Sequence, residues 1–288
     1  MYQSKSLDEI RKKIDSLDNQ IHDLLLERAD LIMAISNEKK KAGIQIVQPA
    51  REARMIRRLI ARHRGPLPQE TIVRIWRELV SSVSLLQTGL SVAVYTPYEI
   101  PEYWDMARDY FGTVLPMQRL STPEAALNLV RDGKVTFAVL PFPEVSDHGA
   151  WWSLLFDVCD REEGVSIIQR LPFGDKVHYD YDRYPALVVA KAGFGTSDDD
   201  HSLIGIRSED EISRSRLMEE LEKAGIKVEN LYGTARHHIA DTHTYLTADD
   251  ERLLALKKAL EENGKARICL LGGYPSQPAY SNKTETLA

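Results

Sequence analysis

Apolar residues in the first third of the chain recur at helical spacing. Leu7, Ile10, Ile14, Leu17, Ile21 and Leu24, then Leu31 and Ile35, step by threes and fours, which lines them along one helix face. Ser6-Leu7-Asp8-Glu9 opens the run as a capping box, the Ser6 hydroxyl meeting the Glu9 amide while the Glu9 side chain reaches back. No Gly or Pro interrupts before Gly43, a C-terminal stop. The pattern predicts one helix over Ser6–Lys41, roughly 54 Å long at 1.5 Å per residue. A second helix is predicted from Pro49, suited to a first helical position, to about Arg64, carrying Met55, Ile56, Leu59 and Ile60. Gly65-Pro66-Leu67-Pro68 breaks it, and Ile72, Trp76, Leu79, Val83 and Leu86 predict a third helix ending near Gly89. Three such helices cannot wrap so long a stripe within one small domain. A homodimer that pairs the long helices buries it.

After Gly89 the period changes. Leu90–Tyr95 alternates as a strand, 102–111 and 123–131 read as helices, and Val135–Leu140 as a strand, a β-α-α-β unit of α/β type. Residues 151–176 show no clear period, and Ala186–Ala190 reads as a strand. Gly193–Asp200 reads as a linker. The predicted elements beyond it are strand 202–206, helix 214–224, strands 227–231 and 242–246, helix 251–263 and strand 266–271. That order, β-α-β-β-α-β, is ferredoxin-like. The expectation is a multidomain chain: an all-α three-helix domain over 1–89, an α/β lobe over 90–192 and a ferredoxin-like module over 201–275.

Composition narrows the class. The 288 residues are 43% hydrophobic and 28% charged, ordinary for a globular protein and not for a disordered chain. No apolar run approaches the roughly 20 residues of a membrane helix, and the charged N-terminus lacks a secretory h-region. The two distant cysteines, Cys159 and Cys269, are too few for a disulfide framework and fit a reducing cytoplasm. Residues 1–88 hold 16 Lys+Arg against 11 Asp+Glu, a surplus of +5, and the remainder 21 against 32, a balance of −11. The basic piece expects an anionic partner. Nucleic acid, a lipid surface and a small polyanion all satisfy that expectation, although the basic second helix (Arg51, Arg54, Arg57, Arg58, Arg62, Arg64) lacks aromatics on which bases stack and reads as a solvated face.

One residue interrupts the long apolar stripe. Four positions after Leu24, between it and Leu31 and Ile35, stands Arg28. A guanidinium facing a core is costly unless paired. It snorkels out, meets a carboxylate of another helix, or meets an anionic ligand inside the bundle. Lys39 lies 11 residues on, about 20° round the helix, and a second cation on that face favours a ligand.

Taken together these positions resemble the all-helical chorismate mutases. Ile10-Arg11-Lys12-Lys13-Ile14-Asp15-Ser16-Leu17-Asp18 is similar to that family's opening, Leu24-Leu25-Leu26-Glu27-Arg28-Ala29 to its core, Arg51-Glu52-Ala53-Arg54 to its second helix, and Trp76-Arg77-Glu78-Leu79-Val80-Ser81 with Gln87 to its third. The resemblance implies an intertwined helical dimer that rearranges chorismate to prephenate without cofactor or metal. It implies that Arg28 and Arg51 hold the substrate's carboxylates, with Arg11 reaching in from the partner copy. Lys39 and Gln87 would donate to the ether oxygen, and Glu52 would accept from the ring hydroxyl. Gln48 stands where many members carry an aspartate near that hydroxyl, and Val83 where a small residue is common, so a less efficient site is expected. Fusion to some 200 further residues resembles the bifunctional mutase–prephenate dehydratases, with a first lobe over Leu90–Pro141 and, in the ferredoxin-like tail, an ACT-like regulatory module or else a shortened second dehydratase lobe.

The dehydratase signatures are eroded. Thr96-Pro97-Tyr98 stands at the glycine-rich turn, Glu144-Val145-Ser146 at the Glu-Asn-Ser position, and Asp182-Arg183-Tyr184 where the reactive threonine belongs. Gly233-Thr234-Ala235-Arg236 replaces the effector motif of the ACT module. His237, His238 and His243 read as exposed loop histidines, and Asp198–Asp200 as a solvated linker without the spaced oxygens calcium needs. The expected protein is a cytoplasmic, cofactor-free chorismate mutase with no nucleic-acid or membrane partner. A bifunctional enzyme and a non-catalytic, metabolite-sensing dimer are the alternatives.

Overall fold

In the computed structural model, the described residues are 6–42, 48–144, 151–157, 164–174, 183–261 and 266–279. Of residues 36, 37, 39–42 and 83–88 only the backbone is described. The chain divides into two compact units, one of 1–46 with 83–89 and one of 47–82 with 90–288.

The first unit is dominated by α1 (Leu7–Ala42), 36 residues in one helix. Its capping box forms as expected: the Ser6 amide donates to Glu9 Oε2 at 2.9 Å and the Glu9 amide to Ser6 Oγ at 3.3 Å. The apolar stripe lies open to solvent in the single chain, from Leu7 through Ile14, Leu17 and Leu24 (64% exposed) to Leu31 and Ile35.

The second unit opens with α2 (Pro49–Arg62), which buries Ala50, Ala53, Ile56 and Ile60. It is followed by α3 (Gln69–Thr88). The face of α3 that the unit buries is Val73, Arg77 and Ser81, one position round from the stripe Ile72, Trp76 and Leu79, whose members are only partly buried. The reason is the close approach of α4 (Glu102–Phe111). It ends at Gly112, at φ 75°, where an added Cβ would stand 2.8 Å from Glu78 Oε2 and 3.0 Å from Ser81 Cβ. Only glycine fits that approach.

The rest of the described residues build a mixed sheet of nine strands in the order β2-β1-β3-β5-β4-β9-β6-β8-β7, with its flanking helices. β1 (Val92–Tyr95), β2 (Met117–Leu120) and β3 (Phe137–Pro141) are parallel, with α4 and α5 (Pro123–Arg131) between them. Thr122 caps α5, accepting from the Ala125 amide at 3.2 Å. β5 (Ala186–Ala190) runs antiparallel to β3 and to β4 (Ser166–Leu171). The second half is the expected ferredoxin-like motif: β6 (Asp200–Ser208), α6 (Arg214–Lys223), β7 (Asn230–Thr234), β8 (His237–Thr242), α7 (Glu251–Glu261) and β9 (Ala266–Pro275). The halves join through one parallel pair, Ile167 with Gly272. Gly272 has φ 115°, and a Cβ there would lie 2.1 Å from the Ile167 carbonyl oxygen.

Alternation along the strands splits the core in two. Ile204, Ile206, Ala240 and Ile268 face α6 and α7, through Leu217, Leu221, Leu253 and Leu256. Their neighbours Leu203, Ile239, Cys269 and Leu271 join Trp152, Leu155 and Phe156 of a 3₁₀ turn over Trp151–Asp157.

Several expectations are corrected. The strand placed at 242–246 is His237–Thr242, paired to β7 through the two-residue turn Ala235-Arg236, with Ala235 at φ 57°. No Asn-Gly or Asp-Gly pair marks such a turn in the sequence. His238 is therefore a buried strand residue and not an exposed loop histidine. Asp200 is no solvated linker residue: it is buried at the head of β6, accepting from the Ser197 amide at 2.7 Å and Thr196 Oγ1 at 2.9 Å. Cys269 is buried and disulfide-bonded, which removes the support that two free thiols gave to a reducing compartment; Cys159 lies outside the described residues. Among the described residues no helix is long and apolar enough to cross a membrane.

Candidate functional site

The expected site residues fall into two groups. Arg11, Arg28 and Lys39 stand on α1, and Gln87 in the last turn of α3, all within the first unit. Gln48, Arg51 and Glu52 stand at the start of α2 in the second. The side chains of Lys39 and Gln87 lie outside those described.

Arg11 is exposed and loosely paired with Asp8 one turn earlier, 3.7 Å away. Arg28 differs from its surroundings. It is half-buried while the residues around it from His22 to Glu27 are exposed, and burial holds its pKa below the ordinary arginine value. It stays a cation nonetheless. Among the described residues no carboxylate is paired with it. A partly desolvated guanidinium without a protein counter-ion is suited to receive a carboxylate by its planar fork.

The start of α2 presents three polar groups within one and a half turns. The Gln48 carbonyl accepts the Glu52 amide at 3.1 Å, and Pro49 occupies the first helical position. Arg51 is exposed. Glu52 Oε2 accepts from Arg77 Nη1 at 3.0 Å. Arg77 is only 4% exposed. Its guanidinium lies 4.2 Å from the centroid of the Tyr110 ring and 5.2 Å from that of Phe173, at a small cavity that Val73 and Met106 also line. Burial drives the Tyr110 phenol far up from its ordinary pKa. The Arg77 charge is thus held between rings and against the Glu52 carboxylate, which orients that side chain.

Sequence reasoning placed Arg77 in a motif but assigned it no role. The available signal was its spacing: Val73, Arg77 and Ser81 form one face by steps of four, a second buried face that the apolar stripe does not show.

Among the described residues, the eroded dehydratase positions bring no reactive set together. Tyr98, after β1, is 98% exposed; Asp182 lies outside the described residues, and Arg183 packs over Tyr184 at 5.3 Å. Among the described residues no group of three or more His, Cys, Asp or Glu is arranged to hold a metal ion. His201 Nδ1 pairs with Asp241 Oδ1 at 2.9 Å, and Tyr274 donates to the same carboxylate at 2.7 Å.

Comparison with known proteins matches residues 10–88 to the family described as "Chorismate mutase type II". A chorismate mutase of Methanocaldococcus jannaschii is 35% identical over 86 residues, 29% of this chain and 85% of that protein. A bifunctional chorismate mutase/prephenate dehydratase of Aquifex aeolicus is 30% identical over 141 residues, 48% of this chain and 39% of the relative. The chain thus spans about two fifths of the bifunctional relatives it matches. Among solved structures, a prephenate dehydratase of Streptococcus mutans superposes with a TM-score of 0.42 at 13% identity, covering 65% of this chain and 99% of that one.

Proposed function

This chain belongs to the type II chorismate mutase family, and we propose that it converts chorismate to prephenate in the supply of phenylalanine and tyrosine. The observation that carries the proposal is Arg28: a half-buried cation with no carboxylate paired to it among the described residues, on a helix inside the span matched to that family.

The reaction is an intramolecular [3,3] rearrangement. An ether C–O bond breaks as a C–C bond forms, and no proton, nucleophile, metal or cofactor takes part. Catalysis is therefore positioning of the reactive conformer and stabilisation of the charge that grows on the ether oxygen. In the proposed site Arg28 and Arg51 hold the two carboxylates, joined by the partner's Arg11. Lys39 and Gln87 donate to the ether oxygen. Glu52, oriented by Arg77, accepts from the ring hydroxyl, and Gln48 meets that hydroxyl with less charge assistance than an aspartate gives.

The second copy belongs to the same proposal. Two α1 helices pairing through Leu17, Ile21 and Leu24 would cover the apolar stripe that one chain leaves exposed. The division is a helical mutase over 1–89, with the segments 90–192 and 201–275 serving stability or regulation. Nucleic acid and membrane are not partners in this reading. A dicarboxylate does not cross a bilayer unaided, so the enzyme is placed in the cytoplasm with its substrate.

The test is chorismate turnover by the full chain and by Lys39→Ala. The variant should lose orders of magnitude in kcat with its circular dichroism unchanged; near-wild-type turnover would overturn the site. The relatives named bifunctional raise a second reading, retained dehydration of prephenate. Phenylpyruvate formed from prephenate at neutral pH, with wild-type protein, would establish it; the eroded motifs predict none.

A further inference from the structure

The basic face of α2 explains Arg58, Arg62 and Arg64, which are exposed, but not Arg57. Its guanidinium makes four hydrogen bonds to the other end of the sequence. Nη1 donates to the Ser197 carbonyl and to Ser197 Oγ, both at 3.0 Å. Nη2 donates to the Asp199 carbonyl at 2.8 Å and to the Ser276 carbonyl at 2.6 Å. These acceptors sit where the chain enters β6 and leaves β9.

The receiving corner is itself cross-braced. The Ser276 amide donates to the Asp199 carbonyl at 2.9 Å. Asp199 Oδ1 accepts from Ser276 Oγ at 2.7 Å and from His243 Nε2 at 2.6 Å. Buried Asp200 accepts from both the amide and the hydroxyl of Ser197. Nearby, Arg54 stands 3.7 Å from Asp198, and α2 packs against β9. A planar fork reaching three backbone carbonyls fixes an angle as well as a distance, which the point charge of a lysine does not. Arg51 and Glu52 lie six and five residues before Arg57 on the same helix, about 8–9 Å along its axis.

We propose that Arg57 is a positioning residue of the mutase reaction: it pins α2 to the corner of the C-terminal sheet, so that the C-terminal module sets where Arg51 and Glu52 stand. The inference rests on the mutase reading above. It gives the C-terminal segment a part in the reaction that needs no chemistry of its own.

Full-length wild type, Arg57→Ala, Arg57→Lys and, as a charge control, Arg58→Ala are compared by chorismate kinetics and by hydrogen exchange of the amides of residues 49–62. Arg57→Ala should raise KM about tenfold with kcat changed less, because carboxylate binding is the step that Arg51 serves, and should speed α2 exchange. Arg57→Lys should restore neither, and Arg58→Ala should match wild type. A clamp that only adds stability would leave KM unchanged, and that result in Arg57→Ala overturns the proposal, as does unchanged α2 exchange. If the wild type itself turns over no chorismate, the mutase reading fails on its own. The exchange arm then decides the clamp: faster α2 exchange supports it, unchanged exchange overturns it.

Discussion

Charge placement carries the account at the scale of single residues. Arg28 was legible in the sequence because it breaks an apolar period. Arg57 and Arg77 were not, because what distinguishes them lies far along the chain: Arg57 bonds to Ser197, 140 positions away, and Arg77 stacks on Tyr110 and Phe173. A helical wheel cannot separate a clamped arginine from a solvated one. Arg77→Ala should lower unfolding stability by about 3 kcal/mol, since it removes an ion pair from the half-buried Glu52 carboxylate and opens a void beside Tyr110 and Phe173; urea denaturation measures this, and a loss under about 0.5 kcal/mol would place Arg77 among ordinary surface arginines. His238 gives a second residue-scale prediction. It is 1% exposed with an unpaired Nδ1, and burial first, then Arg214, pushes its pKa down to about 4. The folded state therefore holds the neutral ring while the unfolded chain protonates near pH 6.5. Its stabilisation is full above pH 6.5 and is lost as pH falls toward 4, by up to roughly 3 kcal/mol at 1.36 kcal/mol per unit. His238→Gln should flatten the stability profile across that window, and an unchanged slope would assign the acid sensitivity elsewhere.

Elements with a strong period were read well from sequence, and those defined by tertiary pairing were not. The helices α1, α4 and α5 follow the apolar spacing and caps, and the ferredoxin-like order follows from alternating segments. β2 went unread because Met117-Gln118-Arg119-Leu120 is a partly exposed four-residue edge strand with no apolar run. The β7–β8 hairpin was displaced because its turn is built on Ala235 and not on a glycine pair. The α1 stripe is apolar as its period indicates, and among the described residues its members stay exposed. At about 1.5–3 kcal/mol for each fully buried Leu or Ile, that face is the largest unspent source of stability in the helical segment. Ile21→Glu should convert a wild-type dimer to a monomer in sedimentation analysis and abolish mutase turnover. A monomeric, active wild type would refute the dimer.

At the scale of the whole molecule, the strands of the α/β lobe over 90–192 and of the ferredoxin-like module over 201–275 join, among the described residues, in one nine-stranded sheet, continuous through the Ile167–Gly272 pair, and α2 packs on that sheet's β9. The joint was not legible because it depends on a glycine at φ 115° inside a strand, which reads in sequence only as a weak position. The opposite charges of the two parts take on meaning here: the basic segment supplies Arg28 and Arg51 for a proposed dianionic substrate, and it supplies Arg57 to carbonyls of the acidic part. The central claim is a chemical conversion, and the most direct measurement follows chorismate in chelator-treated buffer with purified full-length protein and identifies the product. Chorismate should disappear at a rate proportional to enzyme, indifferent to chelator, with prephenate formed one for one. Chorismate that persists at the uncatalysed rate would contradict it.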